Sequence, residues 1–546
     1  MSEKSEKNME DLKNSTSTQY KDSKHYKKAL GFWDNVMLNI GTMIGSGILL
    51  LPFVVAAYAG PYEWISWLVA GIFILPVILI YSLLVELYPV SGGMSRYPYY
   101  SHGGLVSFLA SVNAIFYFSM IIIPVEAQAI VRYLNLFWPV LLEPSGYPTI
   151  LGYIVEVILT VLVSVIVYLG ARSVSTSNFV ITAIKLGLIL LFGLTMFLFF
   201  WSPKNFTDPS IAVMPMGIPG IFAAAGASIF AYTGFRRTAI FAGEAKEEIV
   251  KKLNWSEIVA WAIVLVVYVF MSVAIVGAID WEKLAPIAAK MGINLYPGNW
   301  AGIANLSGPF AAMALGYGLI WMYYLFLLDG IISPFGVSIV EQGGLPRLFY
   351  AAAKAKYMPK AFLKVDKKTG TPIWGLIASL IGEIVYLFVI RLYSQSVDVV
   401  VASSNILYAT GPAAVIGILA RKKIKSTFYS ILAPVAMVSS SLIFYWATYP
   451  YTLWGTIALF IFLPLFIYYV AKGEARGDIK NGIWYLTYII VLDIISYLGE
   501  TTFGGKGILS FPWDFVVIII VALIFIYWAK ISALKEEPEE AVDIEE

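Results

Sequence analysis

Long apolar runs separated by short polar segments dominate the sequence. A membrane helix needs about 20 mostly apolar residues to cross the hydrocarbon core, and most of these runs reach or approach that length. The pattern therefore predicts an all-α polytopic membrane protein with 14 transmembrane helices. The predicted spans are 32–58, 64–88, 104–133, 149–170, 173–201, 217–242, 254–279, 308–338, 373–392, 397–419, 427–448, 452–471, 483–499 and 512–531.

The first predicted span contains a polar stretch at mid-depth, residues 41–47, with the sequence Gly-Thr-Met-Ile-Gly-Ser-Gly. Glycine costs about 1 kcal/mol relative to alanine in a helix interior, and each freed backbone group in hydrocarbon adds to that cost unless it is satisfied. We interpret the stretch as an unwound hinge whose bare N–H and C=O groups hold a small charged solute. A packing face is the alternative, because Gly41 and Gly45 form a GxxxG pair that lets two helices approach closely.

A similar interruption occurs five spans later, where residues 230–235 read Phe-Ala-Tyr-Thr-Gly-Phe. Two similar helices that lie five spans apart enter the membrane from opposite sides, which is what an inverted-topology repeat requires. Interrupted spans at corresponding positions of two halves are the best sequence indication of a transporter's binding site. This pairing favours the hinge interpretation over simple packing.

Backbone polarity at the two interruptions predicts the ligand. A half-helix that begins after a break offers unpaired N–H groups to a carboxylate, and one that ends before a break offers unpaired carbonyls to an ammonium. An amino acid carries both groups on one carbon. We expect residues 44–47 to face its carboxylate, and Asn39, Ile40, Phe230 and Tyr232 to face its amine. The predicted substrate-binding residues are Asn39, Ile40, Ile44, Gly45, Ser46, Gly47, Phe230, Tyr232, Thr233 and Gly234.

Lysine and arginine fall mostly in alternate connecting segments, which the positive-inside rule assigns to the cytoplasm. A multi-pass protein of the cell membrane with both termini cytoplasmic is predicted. The outer connection Asp280–Ser307 is expected to form a short helical cover, and the run Ala351–Ala353 an amphipathic helix on the inner surface. The predicted divisions are a solvated cytoplasmic N-terminal tail (1–31), spans 1–5 as the first repeat (32–201), spans 6–10 as the second repeat (217–420), four additional spans (427–531) and an acidic cytoplasmic tail (532–546) that is flexible from Glu536.

Composition narrows the function classes. The chain is 59% hydrophobic and only 13% charged, with a mean hydropathy of +0.77, so we expect it to be embedded in the lipid bilayer. Its net charge is +2, so nucleic acid is not expected as a partner. It contains no cysteine, and neither histidine has a neighbour at metal-ligand spacing, so we expect no metal site and no cofactor. Neither a catalytic constellation nor a phosphate-binding G-x-x-x-x-G-K-[ST] loop occurs, which argues against an enzyme or an ATP-driven pump. A channel is disfavoured because the sequence lacks a filter motif.

Four motifs in order resemble the amino acid-polyamine-organocation (APC) superfamily, over roughly residues 31–420. They are Gly-Phe-Trp-Asp at 31–34 with the first interruption, Glu-Leu-Tyr-Pro at 86–89 with Ser-Gly-Gly at 91–93, the second interruption with Gly243 and Glu244, and the segments 347–351, 359–360 and 369–372. The resemblance implies a leucine-transporter-like fold, in which the first ten helices form a 5+5 inverted repeat with broken first and sixth helices. Arg236 and Arg237 depart from the common pattern, and could favour an anionic substrate or pair with an internal carboxylate such as Glu126.

Lys185 lies in the middle of the fifth predicted span, where an ammonium is expensive to bury and therefore marks a functional site. In proton-using relatives, a lysine at this position stands where sodium-coupled relatives hold a sodium ion, so the resemblance implies Lys185 as the proton-coupling residue. Asp329, Ser333 and Glu126 are further coupling candidates. Alternatively, Lys185 only braces Gly41 or Ser46 by hydrogen bonding.

These observations together predict a secondary active transporter of amino acids, with proton-coupled symport by alternating access. An amino acid exchanger, or a transporter of polyamines or other organic cations, is the alternative. The polyamine alternative requires acidic residues at the site, and only Glu126 is available nearby.

Overall fold

A computed structural model describes residues 9–10, 12–13, 31–90, 92–170, 174–242, 249, 252–366, 369–536 and 538. Throughout these ranges regular structure is helical, and the β-bridges of Leu142 with Pro148 and of Val365 with Pro372 are isolated. The predicted all-α class is therefore confirmed. Ser91, Gly243 and Glu244 of the motifs above, and most of the two predicted tails, lie outside the described residues.

The helices are numbered here in chain order. They are α1 (Phe32–Met43), α2 (Ser46–Ala59), α3 (Glu63–Leu87), α4 (Gly93–His102), α5 (Gly104–Val112), α6 (Met120–Phe137), α7 (Ile150–Gly170), α8 (Val174–Phe199), α9 (Lys204–Thr207), α10 (Gly217–Tyr232), α11 (Arg237–Phe241), α12 (Leu253–Gly277), α13 (Trp281–Ala289), α14 (Trp300–Ile303), α15 (Pro309–Gly316), α16 (Ile320–Lys354), α17 (Ile373–Val389), α18 (Tyr393–Tyr408), α19 (Thr410–Arg421), α20 (Thr427–Trp446), α21 (Tyr451–Phe460), α22 (Leu463–Ala471), α23 (Ile479–Leu498) and α24 (Trp513–Ser532). A π-helical segment, Asn113–Ser119, joins α5 to α6.

Twelve helical stretches among the described residues are long and apolar enough to cross a membrane. One of them, Ser46–Leu87, is 42 residues long because a 3-10 turn at Gly60–Tyr62 links α2 directly to α3. These two helices lie in the first and second predicted spans. The ninth predicted span corresponds to α17, an apolar helix of 17 residues that is shorter than the twelve. The chain is thus a multi-pass membrane protein whose candidate spans fall on the predicted apolar runs.

Burial separates central spans from lipid-facing ones. The most apolar windows of Tyr393–Arg421 and Gly104–Phe137 are 100% and 94% buried within the protein. The corresponding windows of Ile150–Leu169 and Trp513–Ser532 are only 33% and 28% buried, and their exposed residues are mainly large and aliphatic. Apolar side chains exposed at membrane depth face lipid without cost. Spans α5–α6 and α18–α19 therefore form the centre, and α7 and α24 the periphery.

The connection Asp280–Ser307, which the sequence predicts to be external, contains two short helices, α13 and α14. The Asp280 side chain accepts a hydrogen bond from the backbone N–H of Lys283 at 3.2 Å, which caps α13. The rings of Trp281 and Trp300 meet edge to face, with centroids 5.0 Å apart. The prediction of a helical segment here is confirmed.

Predictions for two other segments are wrong. Met9 and Leu12, in the tail expected to be solvated, are buried, and the Lys13 ammonium lies 2.8 Å from a carboxylate oxygen of Glu86. Ala351–Ala353 do not form a separate surface helix, because α16 continues through them for 35 residues. Leu534, which precedes the segment predicted to be flexible from Glu536, is buried, and its N–H donates to the carbonyl of Ser101 at 2.8 Å. Short apolar patches in polar surroundings bury only against distant parts of the chain, so local periodicity does not reveal them.

Small residues permit close helix packing in the core. A Cβ atom added to Gly226 of α10 would lie 2.5 Å from the backbone oxygen and 2.7 Å from Cβ of Trp446 in α20. Both are rigidly placed atoms, so the two helices approach closely only because position 226 is glycine.

We expect Gly226→Ala to destabilise the protein by about 1–3 kcal/mol, because overpacking forces two helix backbones apart. The measurement is thermal unfolding of the detergent-purified protein, followed by tryptophan fluorescence. Gly187→Ala in α8 is the matched control, since nothing lies within 4 Å of its added Cβ. It should leave Tm unchanged or slightly raised. A Gly226→Ala protein as stable as the wild type would contradict the packing described here.

Candidate functional site

The first span is broken between α1 and α2, inside the predicted hinge. Ile44 is extended (φ −84°, ψ 92°), and Gly45 leaves the helical region altogether (φ −147°, ψ −141°). The break is shorter than predicted, because residues 41–43 complete α1 and residues 46–47 begin α2. Thr42 supports the last turn of α1, since its hydroxyl lies 3.1 Å and 3.0 Å from the carbonyls of Leu38 and Asn39.

The sixth span is interrupted by a 3-10 turn, Thr233–Arg236, between α10 and α11. The Thr233 hydroxyl donates to the carbonyl of Phe230 at 2.7 Å. A 3-10 turn tightens the chain instead of opening it, so the backbone stays wound here. The interruption occurs where the sequence predicts it, with fewer free backbone groups than an extended break would leave.

The two interruptions contact each other through glycines. A Cβ atom on Gly234 would lie 2.7 Å from both the backbone nitrogen of Met43 and the Thr42 hydroxyl. A Cβ atom on Gly47 would lie 2.9 Å from Cβ of Ala231. The fold therefore brings together predicted substrate-binding residues from the two stretches, 41–47 and 230–235, which lie almost 200 positions apart in the sequence. Of the two glycines named in the packing alternative, Gly45 lies close to α16, since an added Cβ would be 2.7 Å from Cγ2 of Val337.

The hydroxyl of Tyr268 in α12 contacts both interruptions. Its hydroxyl lies 2.6 Å from the carbonyl of Met43, at the end of α1, and 3.2 Å from the carbonyl of Ala231, near the end of α10. Both carbonyls are buried at helix ends, where intrahelical donors run out. One side chain thus ties the carbonyl ends of both half-helices.

The N-terminus of α2 holds a carboxylate, as its polarity predicts, but the carboxylate is internal. The backbone N–H of Ser46 donates to Oε2 of Glu126 in α6 at 3.1 Å. Glu126 is 2% exposed, and the Ser46 hydroxyl is 3.3 Å from the hydroxyl of Tyr393. The position expected for a ligand carboxylate is therefore shared with Glu126, a coupling candidate.

Lys185 lies against the first break. Its ammonium donates to the carbonyls of Ile44 at 3.0 Å and Gly41 at 3.3 Å, and the residue is 3% exposed. Asp329 and Glu126 are the carboxylates that act on it electrostatically. The bracing contact to Gly41 proposed as the alternative is thus present. The neighbouring carboxylates supply the opposite charge that a buried ammonium requires.

Asp329 and Ser333 face the same region from α16. The Ser333 hydroxyl donates to Oδ1 of Asp329 at 2.7 Å, while Oδ2 is buried without a hydrogen-bond partner. A Cβ atom on Gly336, three residues beyond Ser333, would lie 3.5 Å from the Lys185 ammonium. The third, fifth and eighth predicted spans therefore meet at the first break through the predicted coupling residues.

The carbonyl groups expected to face an amine already accept internal hydrogen bonds. The carbonyl of Ile40 accepts from the N–H of Ile44 at 2.8 Å, and that of Phe230 accepts from Thr233. A carbonyl oxygen has two lone pairs, so each retains acceptor capacity. The Asn39 amide points elsewhere and donates to the hydroxyl of Thr238 in α11 at 2.8 Å. The Tyr232 hydroxyl donates to the carbonyl of Trp67 at 3.0 Å.

Sequence reasoning missed Tyr268, Tyr393 and Glu341. Each is a polar group within an apolar span or its inner extension, and that signal alone does not identify a partner. Arg236 and Arg237 pair with an internal carboxylate, as one alternative predicts, and that carboxylate is Glu341 of α16 instead of Glu126. Glu126 is engaged at the N-terminus of α2 instead. Within the described ranges, no group of three or more His, Asp or Glu side chains is placed to hold a metal ion.

The chain is similar to known transporters along nearly its whole length. The amino acid permease family matches residues 30–495. The chain is 30% identical over 530 residues to the glutamate/serine transporter AimA of Bacillus subtilis (strain 168), covering 93% of this chain and 95% of AimA. It is also 30% identical over 535 residues to the aspartate-proton symporter of the same organism, covering 95% and 98% of the two chains. These relatives are transporters and not enzymes.

The fold has a solved counterpart. Mhp1, a nucleobase-cation-symport-1 family transporter in a closed conformation with bromovinylhydantoin bound, aligns with a TM-score of 0.50 over 94% of this chain and 95% of Mhp1. Sequence identity is only 12%, so this likeness concerns the fold alone.

Tyr268→Phe should loosen both interruptions, because it leaves two buried carbonyls without their shared donor, and an unsatisfied buried group costs about 1–3 kcal/mol. Hydrogen–deuterium exchange followed by mass spectrometry should show faster exchange at residues 43–47 and 231–236. Tyr386→Phe is the matched control, since it removes a phenol donor from the carbonyl of Phe116 at 2.7 Å. Equal exchange at the interruptions in both variants would contradict the role assigned to Tyr268.

Proposed function

The chain belongs to the amino acid permease family, within the APC superfamily and with a leucine-transporter-like fold, and from this we propose that it is a proton-coupled symporter. It moves amino acids across the cell membrane by alternating access. Both relatives described above cover nearly the whole chain, which supports carrying over the transport of amino acids as a class.

The observation that carries the proposal is the contact between the two interrupted helices. The N-terminus of α2 and the C-terminal end of α1 lie at one point, and the end of α10 lies against them. Backbone N–H groups at the start of α2 and carbonyls at the ends of α1 and α10 thus converge at one place, where the N–H of Ser46 donates to Glu126 and each carbonyl keeps a second lone pair. The α-carboxylate binds at residues 44–47, and the amine binds at the carbonyls of Asn39, Ile40, Phe230 and Tyr232. Thr233 and Gly234 complete the site.

We propose 14 spans, with residues 32–201 and 217–420 as two inverted repeats and 427–531 as additional spans. Three facts support this count: the 42-residue stretch that contains both α2 and α3, the apolar helix α17, and the position of the two interruptions five predicted spans apart. The distribution of lysine and arginine supports cytoplasmic termini. Rocking of spans 1, 2, 6 and 7 against the others is the motion proposed for alternating access.

Lys185 is proposed as the proton-coupling residue, with Glu126, Asp329 and Ser333 as its partners. Its ammonium bridges two carbonyls at the first break, so gain or loss of its proton changes the contacts of the substrate site directly. No other cofactor is proposed. The description of one relative as an aspartate-proton symporter supports the proton as coupling ion.

Glutamate, aspartate and serine are the first substrates to test, because the two relatives are described as transporting them. Exchange of amino acids without net proton movement is the main alternative, and transport of polyamines or other organic cations the next. The carboxylates that the described residues bring to the first break, Glu126 and Asp329, already act on the Lys185 ammonium, which disfavours the additional positive charge of a polyamine. A channel is the alternative from a different class.

Counterflow in proteoliposomes tests the proposal. Vesicles loaded with one unlabelled amino acid should accumulate the same labelled amino acid transiently, and a competitor panel at two pH values identifies the accepted class. A proton symporter should also concentrate substrate when the inside is made alkaline. The absence of competition by any amino acid would refute the function.

Lys185→Met should abolish uptake driven by a pH gradient, because methionine matches the stem of lysine but carries no exchangeable proton. Counterflow should persist, since the backbone of residues 44–47 remains. Lys204→Met, an exposed lysine of the outer connection, is the control and should behave as the wild type. Gradient-driven uptake at wild-type rate in Lys185→Met would exclude this residue from coupling.

A further inference from the structure

The short helix α4 lies between the candidate spans Ser46–Leu87 and Gly104–Phe137, and its two ends contact distant parts of the chain. At its start, the N–H of Gly92 donates to the carbonyl of Ile240 in α11 at 3.1 Å. Gly92 has a left-handed backbone (φ 69°, ψ 26°), which glycine adopts without strain. A Cβ atom on Gly92 would lie 3.6 Å from Cβ of Ala351 in α16. The start of α4 therefore meets α11, the helix that follows the interruption of the sixth span.

The other end of α4 is joined to the last predicted span by reciprocal hydrogen bonds. The carbonyl of Ser101 is among the last four of α4, and it accepts from the N–H of Leu534 at 2.8 Å. The carbonyl of Ala529 is among the last four of α24, and Nε2 of His102 lies 2.9 Å from it. The last four carbonyls of a helix have no intrahelical donor. Each helix end thus supplies a donor that the other lacks.

His102 makes this contact as a neutral ring. The residue is 0% exposed, and burial lowers the pKa of His102 to about 4. Since only a protonated Nε2 can donate to the carbonyl of Ala529, Nδ1 is the acceptor for the Ser101 hydroxyl, 2.8 Å away. The His102 ring centroid lies 5.3 Å from that of Trp484 in α23. His102 is therefore a buried donor placed between α4, α23 and α24.

The helix α23 holds the same end of α4 from a second side. Oδ2 of Asp478, the residue before α23, accepts from the N–H of Gly104 at 3.0 Å and lies 2.6 Å from Nε of Arg476. A Cβ atom on Gly482 would lie 2.8 Å from Cβ of Leu105, so α23 packs closely against α5. Two of the additional spans, α23 and α24, therefore hold the C-terminal end of α4 and the residues that follow it.

The contact at the opposite end of α4 is smaller. Ile240, which accepts the hydrogen bond from Gly92, belongs to a small apolar cluster apart from the main core of the described residues. The cluster consists of Leu38 of α1, Ile240 and Phe241 of α11, and Val340 of α16. Hydrophobic stabilisation scales with the apolar area buried, so separating four side chains costs little compared with opening the main core. The end of α11 can therefore leave α4 more easily than α4 can leave α23 and α24.

We propose that α23 and α24 hold α4 as the stationary face of the inner gate, and that His102 is the positioning residue of this attachment. The inner gate is the contact of α11 with α4 and α16. When the transporter opens to the cytoplasm, Ile240 leaves Gly92, while α4 stays bound to α23 and α24. The additional spans thereby take part in the transport cycle without contacting the substrate. This assignment rests on the proposed function, since it requires alternating access with α4 on the cytoplasmic side.

Labelling of a cysteine introduced at the gate tests the role of His102, because the chain contains no cysteine of its own. In an Ile240→Cys background, His102→Ala should raise the rate of labelling by a membrane-impermeant thiol reagent in inside-out vesicles at least about fivefold, as expected for loss of a buried hydrogen bond. His102→Gln keeps an N–H donor and should restore part of the protection.

Tyr485→Phe is the matched control for this labelling. It removes a phenol donor from the carbonyl of Ile406 at 2.8 Å, a bond that joins α23 to α18 and does not involve α4. The labelling rate should stay within about twofold of that in the Ile240→Cys background alone. Equal rates in His102→Ala and Tyr485→Phe would overturn the proposal.

Cross-linking with a short bifunctional thiol reagent tests which contact opens, and it remains decisive if His102→Ala does not fold. The pair Ser101→Cys and Leu534→Cys joins α4 to the end of α24, and its cross-linked form should keep counterflow within about twofold of the unlinked form. The pair Ile240→Cys and Gly344→Cys joins α11 to α16, since a Cβ atom on Gly344 would lie 3.7 Å from Cγ2 of Ile240. Cross-linking this second pair should abolish counterflow.

Loss of counterflow on linking α4 to α24 would overturn the proposal, because α4 would then have to leave the additional spans during transport. Counterflow that persists with α11 linked to α16 would overturn it as well. The labelling rates require no substrate, so they test the attachment of α4 separately from the function. A wild-type protein that shows counterflow with no amino acid overturns the proposed function instead.

Discussion

The need to satisfy backbone polar groups inside a membrane governs this structure. A helix crosses hydrocarbon because its own hydrogen bonds satisfy every N–H and C=O group, and the first span gives up part of that ladder at Ile44 and Gly45. Three side chains from three other helices satisfy the freed groups. Glu126 accepts from the N–H of Ser46, Lys185 donates to the carbonyls of Gly41 and Ile44, and Tyr268 donates at the carbonyl of Met43. The break and its partners therefore form one interdependent unit.

The polarity of these partners explains how one point can serve binding and coupling together. A carboxylate lies at the positive end of α2, and an ammonium lies at the carbonyl end of α1, which are the favourable positions for each charge. The protein thus holds, with Glu126 and Lys185, the same pair of charges that an amino acid carries on one carbon. A bound amino acid would meet both groups, and a change in the charge of either would alter its surroundings.

Local sequence predicted the places of both interruptions but not their form. Glycines occur within residues 41–47 and at 234 because close approach of two backbones requires them, and a glycine can be recognised in the sequence alone. The length of the first break was overestimated, since Thr42 can return its hydroxyl to the preceding turn and remain helical. Tyr268 and Glu341 could not be identified, because their partners lie 225 residues away in one case and 105 in the other. The continuation of α16 through Ala351–Ala353 is not predicted, because the apolar pattern ends before this segment and basic residues follow, although the helix itself continues.

A structure of the wild-type protein determined by electron cryomicroscopy with a transported amino acid bound would test the central claim most directly. The account predicts that the α-carboxylate lies within about 2.7–3.2 Å of backbone N–H groups at residues 45–47, with the amine at the carbonyl ends of α1 and α10. Density for the amino acid away from both interruptions, with residues 44–47 contacting only protein, would contradict it.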